Sequence, residues 1–286
     1  MNRPTFLFRA REKVLELGHK TRLMGVVNIT PDSFSDGGRY FEVDRAVDHS
    51  LSLVEAGAEI LDLGGESSRP GAFPVSFQEE MDRVIPVLTQ VRKRVPVMIS
   101  VDTYKAPVAE EALNCGADIV NDISAFRLDQ KMPEVVNRFQ AGIILMHMRG
   151  TPSTMHKLSP SADIFQEVYE DLQIAVNKAY KSAIPRDRIV LDPGIGFGKN
   201  AEESLQLLNR LSYLQTLRLP ILVGTSRKSF IGKVLDRPVE ARLMGTVASS
   251  IVAVLNGAHI LRVHDVEEVD TAARTVDAIM TESLPE

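Results

Sequence analysis

Leu23-Met24-Gly25-Val26-Val27-Asn28-Ile29-Thr30-Pro31-Asp32-Ser33-Phe34-Ser35-Asp36-Gly37-Gly38 opens apolar and turns abruptly polar at Asn28. The run from Leu23 to Val27 has the length and character of a buried strand. Pro31, Asp32, Gly37 and Gly38 are loop formers. A buried strand that delivers Asn28 and then a long Ser/Asp/Gly loop is how an α/β enzyme builds one wall of an active site. An ordinary strand and turn fits the same residues, so recurrence along the chain has to decide.

The pattern does recur. Apolar runs lie at Leu23–Val27, Ile60–Leu63, Val97–Val101, Asp118–Val120, Ile143–Met146, Ile189–Leu191, Ile221–Val223 and Ile260–Val263. Amphipathic stretches separate them: Val43–Ala56, Phe77–Arg94, Pro107–Cys115, Met132–Phe139, Ile164–Ser182, Glu202–Leu217, Ala241–Leu255 and Val266–Met280. Strands alternating with helices imply parallel strands joined by crossovers. Eight such units in a chain of 286 residues predict an α/β protein, a (β/α)8 TIM barrel, as a single domain over 1–286. The rival is a doubly wound open sheet, which usually carries a glycine-rich nucleotide turn after its first strand; Asn28-Ile29-Thr30-Pro31-Asp32-Ser33 is not one. Ala56-Gly57-Ala58, Cys115-Gly116-Ala117 and Asn256-Gly257-Ala258 echo one another ahead of three strands, as helix ends in a repeated unit would. Residues 5–8 and 13–17 predict a short hairpin within a 1–20 extension, covering one end of the domain.

Composition bounds the partners. Hydrophobic content of 44% and charged content of 25% are those of an ordinary globular protein. A net charge of −5 argues against general nucleic-acid affinity, which needs an excess of Lys and Arg. It leaves room for a local basic pocket. No apolar run approaches the ~18 residues of a membrane span, and the N-terminus shows no signal peptide, so a cytoplasmic protein is expected. The single cysteine, Cys115, excludes an intrachain disulfide and reads as a small apolar residue at a helix end.

In a barrel of this kind chemistry sits where strands end. The strand ends read Asn28, then Gly64–Gly71, Asp102, Asn121-Asp122, His147, Asp192, Ser226-Arg227-Lys228, and Arg262 with His264. Each strand is thus expected to deliver a polar group to one rim. Asp102, Asn121 and Asp192 suit a flat heterocycle bound by edge-on hydrogen bonds. Arg69, Lys228 and Arg262 supply positive charge, and His264 can do so when protonated. Residues 262 and 264 share strand parity, so an Arg-x-His pair there suits a phosphate clamp; a salt bridge within the barrel rim is the competing role for Arg262. Asn28 suits one oxygen ligand to Mg2+, a cation that keeps most of its waters. His147 reads as a rim hydrogen-bonder rather than a catalyst. Gly194-Ile195-Gly196-Phe197-Gly198-Lys199 lacks the register of a dinucleotide loop and reads instead as a glycine-permitted loop bringing Phe197 close to a ligand.

These residues resemble the dihydropteroate synthase family of pterin-binding enzymes, the folate-pathway transferases that sulfonamides inhibit. The resemblance runs from residue 23 over nearly the whole chain. It rests on residues 24–38, Gly64–Gly71, Asp192–Lys199 and Gly224-Thr225-Ser226-Arg227-Lys228-Ser229. It implies a barrel, usually homodimeric, that joins 6-hydroxymethyl-7,8-dihydropterin diphosphate to 4-aminobenzoate, giving 7,8-dihydropteroate and diphosphate. By that similarity Asp102, Asn121, Asp192 and Lys228 hold the pterin, and Asp102, Asp192, Lys228 and Arg262 carry the chemistry. Asn28 binds Mg2+. Arg69, Arg262 and His264 grip the diphosphate, with Ser68 near the bridging methylene; many members carry threonine in place of Ser68. Phe34, Pro70, Phe197 and Ser229 frame the aminobenzoate. Two alternatives remain open: a methyltetrahydrofolate methyltransferase-like protein, which needs no diphosphate clamp, and a non-catalytic pterin-binding paralogue. Neither nucleic acid nor membrane is an expected partner.

Overall fold

The computed structural model describes residues 3–30, 39–67 and 71–284. Ten strands are labelled in chain order: β1 (Phe6–Ala10), β2 (Lys13–Leu17), β3 (Arg22–Asn28), β4 (Ile60–Gly64), β5 (Met98–Asp102), β6 (Ile119–Asp122), β7 (Gly142–Met146), β8 (Ile189–Asp192), β9 (Leu222–Val223) and β10 (Ile260–Val263). The helices are α1 (Arg39–Glu55), α2 (Phe77–Arg92), α3 (Ala106–Asn114), α4 (Met132–Arg138), α5 (Ile164–Lys181), α6 (Ala201–Asn209), α7 (Ser229–Leu235), α8 (Leu243–Leu255) and α9 (Val266–Thr281).

Strands β3 to β10 pair in parallel, in the order β8-β7-β6-β5-β4-β3-β10-β9. A parallel bridge between Leu191 and Ile221, with the Leu191 N–H donating to the Pro220 carbonyl at 2.9 Å, joins β8 to the approach of β9 and closes the cylinder. The barrel expected from the alternation is therefore the fold, and the open sheet is excluded. The outward side chains of the strands and the inner faces of the helices merge into one large apolar cluster, among them Leu61, Val101, Val120, Leu191 and Leu261.

Helix ends show how the sequence echo works. At Gly57, Gly116 and Gly257, φ is +110°, +104° and +100°. The following alanines, Ala58, Ala117 and Ala258, each donate at 2.9 Å to the carbonyl five residues back, at Leu53, Ala112 and Ala253. This is the Schellman stop, which a left-handed glycine permits at little steric cost and which aims the chain into the next strand.

Two helical expectations need correction. The stretch 202–217 is not one helix: α6 ends at Asn209, and a 3-10 segment, Leu211–Leu217, follows. Its three-residue repeat puts Leu211, Leu214 and Leu217 on one side, facing the core. Helix α7 was not expected, because seven residues behind a charged loop are too few to show a periodic pattern.

The barrel interior is tiered. Alternate residues of each strand point inward. The lowest tier is wholly apolar: Met24, Ile60, Met98, Ile119, Ile144, Val190, Leu222 and Ile260. The β1–β2 hairpin lies beneath it, as expected, and contributes Phe8, Ala10 and Leu17, all buried. Gly142 leaves the room that the Phe8 ring fills: a Cβ there would stand 2.6 Å from Phe8 Cζ. The bottom of the barrel is thus plugged.

Candidate active site

Two residues further along each strand the interior changes character. The second tier is Val26, Asp62, Ser100, Asn121, Met146, Asp192, Gly224 and Arg262. Asp62 and Ser100 are fully buried, and Asn121 and Asp192 nearly so. A third tier, at the mouth, follows by the same parity: Asn28, Gly64, Asp102, Ile123, Met148, Gly194, Ser226 and His264. Polar groups placed below a rim and above an apolar floor cost stability unless they serve a ligand or one another.

Some do serve one another. The Arg262 guanidinium lies between two carboxylates: Nε donates to Asp62 Oδ2 at 2.6 Å and Nη2 to Asp102 Oδ2 at 2.7 Å. Asn121 Nδ2 donates to the same Asp62 oxygen at 3.0 Å. The competing role foreseen for Arg262, a salt bridge inside the barrel, is therefore what this structure contains. Other groups stay uncommitted: Ser100 Oγ, Asn121 Oδ1 and Asp62 Oδ1 are buried without a hydrogen-bond partner.

Burial governs the protonation of this set. It pushes the Asp102 carboxyl up to about 7, against the pull of Arg262, and Asp192 up to about 6, against the Gly194 N–H and Lys228. Burial, with Arg262 nearby, brings Lys228 down to about 8. Burial and the cations Arg262 and Arg227 lower His264 to about 4, so its imidazole is neutral near pH 7. Its Nδ1 lies 2.9 Å from Ser226 Oγ. Titratable groups displaced toward neutrality and gathered at one mouth mark a functional site.

The mouth is two-sided. Ile123, Met146, Met148, Met155 and Phe197, with Tyr104, form a separate apolar cluster over the β6–β8 side. Lys228, Arg262 and His264 stand on the β9–β10 side. Lys228 Nζ sits 4.0 Å from the centre of the Phe197 ring, a cation–π contact that joins the two. Ser229 opens α7 beside it and is exposed. The loop carrying Phe197 is stapled from within. Lys199 Nζ donates to the carbonyls of His147, Gly194 and Phe197 at 3.1, 2.9 and 3.1 Å. Asp192 Oδ1 accepts from the Gly194 N–H at 2.7 Å. Gly194 packs so closely that a Cβ would come within 1.9 Å of the His147 carbonyl oxygen.

Parity also corrects the expectation that all strand ends share one rim. His147 follows the outward-facing Leu145, so its imidazole leaves the barrel. Its Nε2 lies 3.2 Å from Asp171 of α5, in a side cavity of about 270 Å3, and burial lowers its pKa to about 4. Strand β7 gives the mouth Met146 instead, and Met148 follows just beyond its end. Asp122 likewise faces outward, accepting from Ser124 and the Phe126 N–H. Cys115 does close α3, but half-exposed rather than buried.

Asp62 and Ser100 are interior polar residues that the sequence hides within apolar runs, Asp62 in Ile60-Leu61-Asp62-Leu63; a charge at an inward position is the signal for Asp62. A second group is Lys105, whose Nζ joins Glu66 and Glu80 at 2.5 Å each and the Val75 carbonyl at 2.8 Å, fastening both ends of the segment between residues 66 and 75. Phe34, Ser68, Arg69 and Pro70 lie outside the described residues. Asn28 ends β3 at the mouth with its side chain exposed. Among the described residues no group of three or more His, Cys, Asp or Glu stands ready for a metal. No described helix is long and apolar enough to cross a membrane.

A plugged barrel whose mouth sets carboxylates and a buried amide beside a cationic side suits a flat, hydrogen-bonding ring. The family described as "Pterin binding enzyme" matches residues 24–264, and the chain belongs to it. The dihydropteroate synthase of Bacillus subtilis is 43% identical over 276 residues, spanning 96% of this chain and 94% of that one. That of Escherichia coli is 43% identical over 267 residues, 93% of this chain and 94% of the other. The solved structure of Xanthomonas albilineans dihydropteroate synthase with 4-aminobenzoic acid superposes with a TM-score of 0.91 at 38% identity, covering 99% and 100% of the two chains. The same enzyme has been solved with 7,8-dihydropteroate, at a TM-score of 0.87 and 36% identity over 98% and 100%. Within the pterin-binding enzymes, the chain stands with the dihydropteroate synthases, transferases of folate synthesis.

Proposed function

We propose that this mouth condenses 6-hydroxymethyl-7,8-dihydropterin diphosphate with 4-aminobenzoate, with the residue roles that follow. The observation that carries the assignment is the interior set Asp102, Asn121 and Asp192 facing Lys228, beside Arg262 and His264. A pterin presents N–H donors along one edge and ring acceptors along another. Asp192 and Asp102 accept from the donors, while the unpartnered Asn121 Oδ1 and the Lys228 ammonium supply one further acceptor and one donor. Phe197 and Ser229 border the place left for the aminobenzoate; family similarity assigns Phe34 and Pro70 to the same ligand. Arg262 and His264 take the diphosphate, with Ser68 and Arg69.

In the reaction the bond between the exocyclic methylene carbon and the diphosphate oxygen breaks, and its electron pair leaves on the diphosphate. The electron-rich dihydropterin spreads the resulting positive charge. Negative potential from Asp102 and Asp192 beside the ring stabilises it. The amine nitrogen of 4-aminobenzoate then forms the new carbon–nitrogen bond and releases a proton. No covalent bond to the protein is required.

The amide oxygen of Asn28, exposed at the mouth, suits one ligand to Mg2+, with diphosphate oxygens and water as the others. The cation would neutralise the leaving diphosphate. A homodimer is part of the same proposal. Helix α8 turns Met244, Ala248, Val252 and Leu255 outward along one face, and Val234 and Leu235 of α7 are exposed as well. An exposed apolar face of this kind suits a two-fold contact. Diphosphate release on mixing the protein with both substrates and Mg2+ tests the activity. Retention of a pterin without turnover would instead assign the chain as a binding paralogue.

A further inference from the structure

Asp62 has no counterpart among the roles above. It sits one tier below Asp102 and is fully buried. Its Oδ2 takes both Arg262 Nε, at 2.6 Å, and Asn121 Nδ2, at 3.0 Å. Arg262 therefore has two carboxylate partners of unequal standing. Asp102 is at the mouth, where an incoming ligand reaches it. Asp62 is fully buried one tier lower, and its Oδ2 is already taken by Arg262 Nε and Asn121 Nδ2. A planar guanidinium held at Nε keeps its orientation while Nη2 changes partner. A buried arginine stripped of every carboxylate is strongly disfavoured, so some group must neutralise it when Asp102 turns to a ligand.

We infer that Asp62 is a positioning residue: it anchors Arg262 through Nε, so that the ligand ring can take Asp102 from Nη2 and leave Nη2 oriented toward the mouth. This rests on the pterin assignment above and deepens it. Asp62 touches no substrate; it acts through Arg262. Binding at Asp102 thereby frees a donor for the anionic group that follows, which couples the two halves of the diphosphate ester across one side chain.

The test compares wild type, Asp62→Asn and Asp62→Asn/Arg262→Gln by calorimetric titration with 6-hydroxymethylpterin, which carries no diphosphate. In Asp62→Asn the guanidinium has only Asp102 as a carboxylate partner, and the pterin must compete with it. We expect binding weaker by about tenfold, the scale of one charged hydrogen bond. Removing the competing cation in the double variant should recover most of that loss. Asp62→Asn keeps the side-chain shape, and thermal melts verify that both variants fold. A double variant that binds as weakly as Asp62→Asn, or more weakly, means Asp62 only shapes the barrel and overturns the proposal. Unchanged affinity in Asp62→Asn also overturns it. A wild-type protein that binds no pterin is a different result: it removes the assignment of the site itself, and this inference with it. Should Asp62→Asn not fold, Arg262 Nε–H exchange in wild type decides: protection that persists on saturation with the pterin supports the anchor, and its loss refutes it.

Discussion

Replacing Asp102 by Asn separates stability from function at one atom. Burial raises this carboxyl from 3.8 to about 7 in the folded protein, despite Arg262 Nη2 at 2.7 Å. An acid whose folded pKa lies above its unfolded one is protonated in both states at low pH. As pH rises between the two values, the unfolded chain gives up a proton that the native protein keeps, and stability falls. Above the folded value the loss is complete. A difference of about three pH units, at ~1.36 kcal/mol each, amounts to about 4 kcal/mol. Asparagine keeps the shape and removes the titration, so Asp102→Asn should be the more stable protein by up to that amount near pH 8 and show little gain near pH 4. For a barrel of this size the gain corresponds to roughly 5–10 °C in melting temperature. The same change exchanges a charged acceptor for an amide, so pterin affinity should fall about ten- to a hundredfold. Thermal melts across that pH range, with calorimetric titration of a bare pterin, measure both. A melting temperature lowered equally at both ends would show that the Asp102–Arg262 pair stabilises the empty barrel, and unchanged pterin affinity would show that Asp102 does not meet the ligand.

Lys199→Met removes the donor shared by three loop carbonyls; the amides of Gly194 to Gly198 should exchange faster with deuterium, and pterin affinity should drop about tenfold as Asp192 loses its setting. Equal exchange in both proteins would refute the staple. Arg262→Ala should weaken the pterin diphosphate far more than the bare pterin and destabilise the fold by about 3–5 kcal/mol, because Asp62 and Asp102 lose their cation. Equal affinity losses for the two ligands would place the anion grip elsewhere. Phe8→Ala should cost about 3–5 kcal/mol in denaturant unfolding while leaving the kcat of the folded enzyme near wild type; a collapse of kcat at full folding would mean the hairpin does more than plug the barrel. Met244→Asp should shift sedimentation from dimer to monomer, and a protein that is monomeric at the outset removes the α8 interface.

The barrel was legible because its strands are short, buried on both faces and separated by helices with conspicuous stops. Runs such as Ile143–Met146 and Ile260–Val263 needed only local composition to be placed. The site was half legible. Residues whose types are costly inside a barrel, such as Asp102 and Asp192, announced themselves at strand ends. Asp62 did not, because reading a run as apolar averages over the alternation that turns one residue inward. His147 went astray for the same reason: it is polar and follows a strand, but its parity faces α5. The double engagement of Arg262 joins residues 200 and 160 positions away, which no local pattern encodes. Helix α7 and the break after Asn209 depend on packing against neighbours, and a short helix has too few turns to print a period.

The hairpin beneath the barrel has a kinetic consequence. With Phe8, Ala10 and Leu17 sealed against the lowest tier, the site is a blind well: whatever enters must leave by the same opening. Asn121 and Asp192, assigned to the ring, lie on the strands, below the loop that carries Phe197 and the start of α7 at Ser229, so a ring arriving second would find the amine already across its path. On the proposed residue roles, productive turnover is expected to run in a compulsory sequence, with the pterin diphosphate entering first and the amine second. The freed diphosphate, nearest the opening, is able to depart before the joined product is drawn up from below. Product inhibition patterns carry that signature: dihydropteroate should compete directly with the pterin diphosphate and not with 4-aminobenzoate.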